Sequence, residues 1–385
     1  MNQQENLTEL QKLLVFFSQK GGSDLFITAG RPATMKKDGK LISLTEDRLT
    51  AEASQALAYQ IMNHDQLATF QNTQESNFAY HISGIARYRV NVFMQRGTPG
   101  MVIRSVHTEI PKFEDLNLPA ILKEVIMDKH GLVLIVGGTG SGKSTTLASL
   151  VDVRNSTRDG HIITIEDPIE FMHSHKKSIV TQREVGVDTD SYDSALKNTL
   201  RQAPDVILIG EIRSRDTMEH AIAFSETGHL CLSTLHANNT NQTLDRIINF
   251  FPADQRQHIL MDLSLNLKAI VSQRLIPKIG GGQIAAVEVL INTPRIAELI
   301  FSGKVNEIKQ LMQNSSALGM QTFDQALFDL YENGLITYKD ALRGADSMND
   351  LRLNIKLNSK LPQPQDEESD LASDAISFSL KQDNN

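Results

Sequence analysis

The sequence predicts an α/β protein, a parallel-rich sheet covered by helices on both faces and preceded by a small α+β domain. Three observations carry that prediction. Between residues 120 and 345 the apolar runs "LVLIV", "HIITI", "VILIG" and "LCLST" alternate with helix-like stretches. Continuous apolar strands alternating with helices belong to a parallel sheet buried on both sides. Directly after the first run stands a glycine-rich loop, "GGTGSGKSTT", from Gly137. Before residue 106 the pattern is different: short strands mixed with a few helical segments, as in a separate α+β unit.

The first unit, residues 1–106, opens with Leu7, Leu10, Leu13, Leu14 and Phe17 on one helical face, and "KGGSD" supplies the glycines of a helix stop. Strands are expected at "DLFIT", "RYRVNVFM" and "GMVIRSV", with one helix from about Ala51 to Phe70. "HTEIPKFEDLNLP" has two prolines and little periodicity, so residues 107–118 read as a linker. Residues 119–345 form the α/β unit. From 346 to 385 the chain turns acidic and proline-bearing, and a disordered tail is expected there. Its "ISFSL" is either unstructured or a short docking motif.

Composition narrows the function. Of 385 residues, 40% are hydrophobic and 22% charged, as in a globular protein. No run approaches the roughly 18 to 20 apolar residues of a membrane crossing, and "MNQQENLTELQKLL" lacks the basic leader and apolar core of a secretory signal. A cytoplasmic protein is expected. One cysteine, Cys231, excludes a disulfide framework and a tetracysteine zinc site, and it reads as a small core residue. A net charge of −8 without a compensating basic block leaves no nucleic-acid footprint.

The chemistry is concentrated after the strands. "GGTGSGKS" fits GxxxxGK[ST]: Gly137, Gly138, Thr139, Gly140, Ser141, Gly142, Lys143, Ser144 and Thr145 form a loop whose backbone N–H groups converge on phosphates. Lys143 would reach the outer phosphates and Ser144 would hold Mg²⁺. In an open parallel sheet ligands bind beyond the carboxyl ends of the strands. Glu166, Asp167 and Glu170 follow "HIITI", Glu211 follows "VILIG", and His229 and His236 bound "LCLSTL". All six are therefore expected on the edge that carries the loop. Singly, an acidic residue there is as easily a helix cap; together they compose a site. Hydrolysis of a phosphoanhydride needs positioning, charge neutralisation and an oriented water. Glu211 is the candidate for the water, and Glu166 for the metal, both through coordinated waters. The histidines, seven apart, point to opposite faces and are no two-ligand metal pair; each reads as a structural or a phosphate-sensing group. Arg87, Arg89, Arg96 and Arg104 are solvated edge residues, or else they supply the missing cation to a neighbouring subunit's site.

The ordered stretches "GGTGSGKSTT", "TIEDPIEF", "QREVG", "LRQAPDVILIGEIR", "ETGHLCLSTLHAN", "DRIINFFP" and "GGGQIAAVEVL" resemble the secretion and type IV pilus ATPase superfamily, most closely its retraction branch of PilT- and PilU-type proteins. "GGSDLFITAGRPATMKKDGKL" in the first unit resembles the same branch, so the likeness covers about residues 5 to 345. It implies a RecA-like P-loop core behind a PAS-like domain. It implies further that Gly137 to Thr145 are the Walker A loop, Glu166 belongs to an acidic box, Glu211 is the Walker B glutamate and His229 and His236 form a histidine box. Arg89 and Arg104 match arginines directed at the γ-phosphate. ATP and Mg²⁺ are the implied ligands. A homo-hexameric ring is implied, working from the cytoplasm at the inner membrane on the pilus platform protein. "TPRIAELIFSGK" from Thr293 and the acidic tail look like the PilU type, a motor that works beside a main retraction ATPase of the PilT type. The rival readings are an extension or secretion ATPase, whose frequent tetracysteine motif this chain cannot build, and a DNA translocase, for which no basic or aromatic strand surface is evident.

Overall fold

The computed structural model describes residues 7–37, 39–82, 86–106 and 109–362. Helix α1 (Glu9–Gln19) starts at a capping box between Thr8 and Gln11, and buries Leu10, Leu14 and Phe17. Six strands follow: β1 (Asp24–Ile27), β2 (Thr34–Lys37), β3 (Lys40–Ser43), β4 (Glu75–Ile82), β5 (Ala86–Gln95) and β6 (Thr98–Val106). They pair antiparallel in the order β3-β2-β1-β6-β5-β4. Strand β5 shows how the sheet is sided. Ala86, Tyr88, Val90 and Val92 are buried beneath the helices, and the Tyr88 hydroxyl donates to the Leu14 carbonyl at 2.9 Å. Arg87, Arg89 and Asn91 alternate with them and face the other way.

The single helix expected from Ala51 to Phe70 is two, α2 (Ala51–Ile61) and α3 (His64–Thr73). Met62 is extended, and Asn63 restarts the helix in a capping box with Gln66. The stretch expected as a linker ends in a turn at Phe113–Leu116, whose Phe113 is buried in the second unit's core.

The second unit is built on seven strands: β7 (Gly131–Val136), β8 (Gly160–Glu166), β9 (Ser178–Glu184), β10 (Val206–Ile209), β11 (Leu230–Leu235), β12 (Leu267–Pro277) and β13 (Gln283–Ile291). Their order is β13-β12-β7-β11-β10-β8-β9, parallel except where β13 turns back on β12. The expected parallel-rich α/β sheet is present. β7 and β11 are buried at every position, because helices α5 (Lys143–Thr157) and α7 (Arg215–Glu226), with their neighbours, cover the two faces. Cys231 is fully buried in β11, as expected, and burial pushes its thiol well up from the ordinary range.

The helices that complete this unit are α4 (Ile121–Val125), α6 (Tyr192–Thr199), α8 (Thr240–Asn249), α9 (Arg256–Asn266), α10 (Pro294–Phe301), α11 (Val305–Gln313), α12 (Phe323–Glu332), α13 (Tyr338–Gly344) and α14 (Met348–Asn358). The last of these is a correction. The tail expected from 346 begins as an ordered helix, capped by Ser347, with Leu351 and Ile355 buried in the α12–α13 cluster. Asp346 before it pairs with Arg274 at 2.5 Å and Lys309 at 3.0 Å. "ISFSL" lies outside the described residues.

Candidate functional site

The loop between β7 and α5 is shaped by what lies under it. Gln273 of β12 donates no space: a Cβ on Gly137 would meet its carbonyl oxygen at 2.5 Å, and one on Gly142 its Nε2 at 2.8 Å. Gly142, which caps α5, is also left-handed at φ +87°, a conformation glycine adopts without a steric cost. Thr146 donates to Gln273 Oε1 at 2.7 Å and ties the helix to the same residue. The outcome is a cradle of backbone N–H groups at the start of a 15-residue helix, the arrangement that binds phosphate. Lys143 Nζ lies folded back on the Gly137 and Gly138 carbonyls at 3.0 and 2.9 Å, and burial lowers its pKa. Ser141 Oγ is buried in the loop without a hydrogen-bond partner.

A cavity of about 710 Å³ opens in front of this loop. The loop residues Thr139 to Thr145 line it, together with Glu166, Asp167, Glu170, Glu211, Arg213, His236 and, from the first unit, Arg89 and Arg104. Topology explains the convergence. β8, β10 and β11 run parallel to β7, so the residues that follow each strand meet at one edge. Gly210, between β10 and Glu211, permits the closest approach: a Cβ there would lie 3.1 Å from Glu166 Cα.

Electrostatics distinguishes the two glutamates. Glu211 is pinned from two sides, with Oε1 3.3 Å from His236 Nε2 and Oε2 2.7 Å from Arg213. His236 is held below its ordinary pKa by burial and by Lys143, against the opposing pull of Glu211. Glu166 is buried deeply enough to push its carboxyl up to about 7, even though Thr164 and Gln182 donate to its Oε1 at 2.7 and 3.2 Å. It therefore titrates in the physiological range.

One expectation is corrected. His229 does not reach this edge. It precedes β11 at the amino end, where Leu230 pairs with Gly131 at the start of β7, and its Nδ1 lies 3.1 Å from Thr227 Oγ1 and 3.3 Å from the Phe224 carbonyl. At about 3.3 Å per residue the strand puts roughly 20 Å between His229 and His236. The first is a structural histidine of the opposite edge in this chain. Arg89 and Arg104 read from the sequence as solvated edge residues or as cations for a neighbouring subunit's site, and the family likeness directs them at the terminal phosphate. They are directly opposed across β5 and β6 and line the cavity of their own chain. Burial lowers the Arg89 pKa against the attraction of Glu184, and Arg104 Nε is bound to Asp24 Oδ1 at 2.8 Å.

Sequence reasoning missed several supporting residues. Gln182 holds Glu166 and also joins the Phe171 carbonyl and the His173 N–H, at 2.9 and 2.7 Å. Glu288 accepts from the Thr240 N–H at 2.7 Å, and Arg274 donates to the Asn238 carbonyl at 3.1 Å, so both fix the turn that follows His236. Gln182 stands in "QREVG" and Glu288 in "AAVEVL"; a polar residue inside a strand bound for a buried sheet was the available signal.

A phosphate cradle between a buried parallel strand and a helix, facing carboxylates at the ends of the adjoining strands, defines a P-loop nucleotide-binding ATPase core. Comparison with known proteins makes the class specific. The family described as "Type II/IV secretion system protein" matches residues 8–283, and the chain belongs to it. It is 58% identical to the type IV pilus ATPase PilU of Pseudomonas aeruginosa, over 91% of this chain and 92% of that one. With the retraction ATPase PilT of the same organism it shares 42% identity, over 86% of this chain and 97% of that one. Among solved structures, that of the pilus retraction motor PilT with bound ADP superposes with a TM-score of 0.83 at 43% identity, covering 90% of this chain and 99% of that one. The chain is thus close to the type IV pilus retraction ATPases in sequence and fold.

Proposed function

We propose that this protein is a ring-forming motor that hydrolyses ATP to retract type IV pili, in the manner of the PilU type beside a main PilT-type motor. One observation carries the reading: a single cavity gathers the phosphate loop, two carboxylates from neighbouring strands, His236 and two arginines from the first unit. That set supplies each part of phosphoanhydride hydrolysis.

The loop N–H groups and the buried Ser141 hydroxyl would bind the triphosphate, and Lys143 would leave the Gly137 and Gly138 carbonyls for phosphate oxygens. Glu211 would orient the attacking water and accept its proton, with His236 holding the carboxylate at 3.3 Å and passing charge away from it. Arg89 and Arg104 would face the terminal phosphate from the far wall and offset the charge that develops there. The cavity's hydroxyl and carboxylates are hard oxygen donors, a set that suits Mg²⁺; Ser144, with Glu166 and Glu211 through water, would hold it, and the ion would neutralise phosphate charge. Because both walls touch the nucleotide, binding and release of phosphate would close and open the first unit over the core. In a homo-hexamer at the cytoplasmic face of the inner membrane, that motion would be passed to the pilus platform protein.

The near full-length likeness to PilU favours retraction over extension, secretion or DNA translocation. The test is ATP turnover by the full chain, and pilus retraction in cells with and without the main motor. Lys143→Ala should abolish binding, and Glu211→Gln should leave binding intact while slowing turnover on the order of 100-fold or more. Wild-type turnover in Glu211→Gln, or DNA-stimulated hydrolysis, would overturn the reading.

A further inference from the structure

Arg87 lies two residues before Arg89 on β5, on the same face of the strand, yet it does not line the nucleotide cavity. It crosses instead to the core. Its Nη2 is 3.4 Å from Glu184 Oε2 and 4.0 Å from Asp188 Oδ2. The pair is well hidden, with the Arg87 side chain 17% and the Glu184 side chain 5% exposed.

Glu184 is not an ordinary surface partner. It is the last residue of β9, in register with Glu166 at the end of β8. Its Oε2 also accepts from the Ile169 N–H at 3.4 Å, and the next residue, Val185, donates its N–H to the Glu166 carbonyl at 2.9 Å. The turn beyond is folded by Asp188, whose Oδ2 accepts from the Glu184 N–H at 2.9 Å. The carboxylate that Arg87 grips is thereby attached on both sides to the segment carrying Glu166, Asp167 and Glu170.

We propose that Arg87 and Glu184 form a latch that sets the register of β5 against the core, and so positions Arg89 and the Glu166 segment together on the same nucleotide. Arg87 is a positioning residue: it acts through Arg89 and touches no substrate. The inference rests on the cis role of Arg89 given above. Geometry explains why it works at short range. Arg87 and Arg89 are separated by two strand rises, about 7 Å, so fixing one guanidinium leaves the other little freedom to leave the cavity wall.

The test uses the full chain in two measurements. First, without nucleotide, amide exchange in residues 167–171 and 184–188 is compared among wild type, Arg87→Ala, Arg87→Lys and Glu184→Gln. The last variant keeps an acceptor for Ile169 N–H and loses only the charge. Exchange about tenfold faster or more is expected in Arg87→Ala, with partial recovery in Arg87→Lys. Unchanged exchange overturns the latch, whatever the enzyme's activity. Second, kcat and KM for ATP are measured for Arg87→Ala, Arg89→Ala and the double variant. A kcat loss of roughly tenfold with little change in KM is expected for Arg87→Ala, and no further loss when it is added to Arg89→Ala. Multiplying losses would show that Arg87 does not act through Arg89. Failure of the wild-type chain to hydrolyse ATP at all would instead sink the proposed function, leaving the exchange result to decide the latch.

Discussion

Replacing Glu166 by glutamine should stabilise the nucleotide-free protein at neutral and alkaline pH. Burial lifts this carboxyl from 4.5 to about 7, and the sign of the effect follows. Below about pH 4.5 the side chain is protonated in both the folded and unfolded chain, and no free energy is lost. As pH rises from there the unfolded chain gives up its proton while the folded one keeps it, so stability falls until about pH 7 and is flat above. The gap of about 2.5 pH units, at 1.36 kcal/mol each, amounts to about 3 kcal/mol of stability that the wild type lacks at pH 8. Glutamine cannot titrate. It also keeps the hydrogen bonds from Thr164 and Gln182, which each donate to Oε1 where the amide carbonyl can stand; the Glu170 backbone N–H is a third donor to this carboxyl.

Thermal unfolding between pH 5 and 8, followed by near-UV circular dichroism, measures this. The two proteins should differ by only about 1 kcal/mol at pH 5 and separate toward pH 8, where Glu166→Gln melts higher by up to about 10 °C at roughly 2 to 4 °C per kcal/mol. Parallel melting curves across that range would refute the argument that Glu166 is protonated in the resting site. Under the proposed role of Glu166 beside Mg²⁺, the carboxyl would give up its proton as the ion and nucleotide bind, so ligand binding at pH 7 should acidify a weakly buffered solution more in the wild type than in the variant. The difference is the Glu166 proton, since the nucleotide's own terminal phosphate releases the same amount in both.

Gly137→Ala should abolish nucleotide binding without unfolding the core, since its Cβ would sit 2.5 Å from the Gln273 carbonyl beneath the loop; isothermal titration with ADP decides, and affinity within threefold of wild type contradicts the cradle. Mixing Lys143→Ala subunits with Arg89→Ala subunits should restore no turnover, because each chain's cavity is walled by its own arginines; recovery of activity in the mixture would place Arg89 in trans. Leu351→Ala, at a fully buried position of α14, should cost about 2 to 4 kcal/mol in denaturant unfolding. No change would show that the helix is not part of the core.

Elements whose apolar spacing was unambiguous were legible in the sequence. β7, β8, β10 and β11 were plain as runs, because strands buried on both faces have no polar positions to blur them. The loop, Glu166, Glu211 and His236 followed from strand ends alone. His229 did not, since a residue before a parallel strand and one after it look equivalent in the sequence and stand at opposite edges in the fold. α14 was hidden for a different reason. Its Leu351, Leu353, Ile355 and Leu357 alternate, which reads as period two within a polar tail, whereas only Leu351 and Ile355 are buried and Leu353 and Leu357 are exposed. Gln182 and Glu184 were quoted in "QREVG" without a role, because their partners lie 16 and 97 residues away.

The position of the two arginines bears on the physics of the site. Had they come from a neighbour, hydrolysis would have depended on ring closure between subunits, and a single chain would have held its substrate with one wall missing. In the cavity described here both walls belong to one chain, joined near the acidic segment by Arg87 and Glu184. Under the proposed reaction, charge loss at the terminal phosphate would act directly on the contact between the first unit and the core, because Arg89 would lose its anion while Glu184, Asp167 and Glu170 remain to attract it. The first unit would then be biased to move within its own chain, and a ring would pass that motion on by whatever surface the first unit shares with the next subunit. Chemistry and displacement would then be coupled through the same β5 strand, which is why a substitution at Arg87, two residues from Arg89, is expected to be felt in kcat.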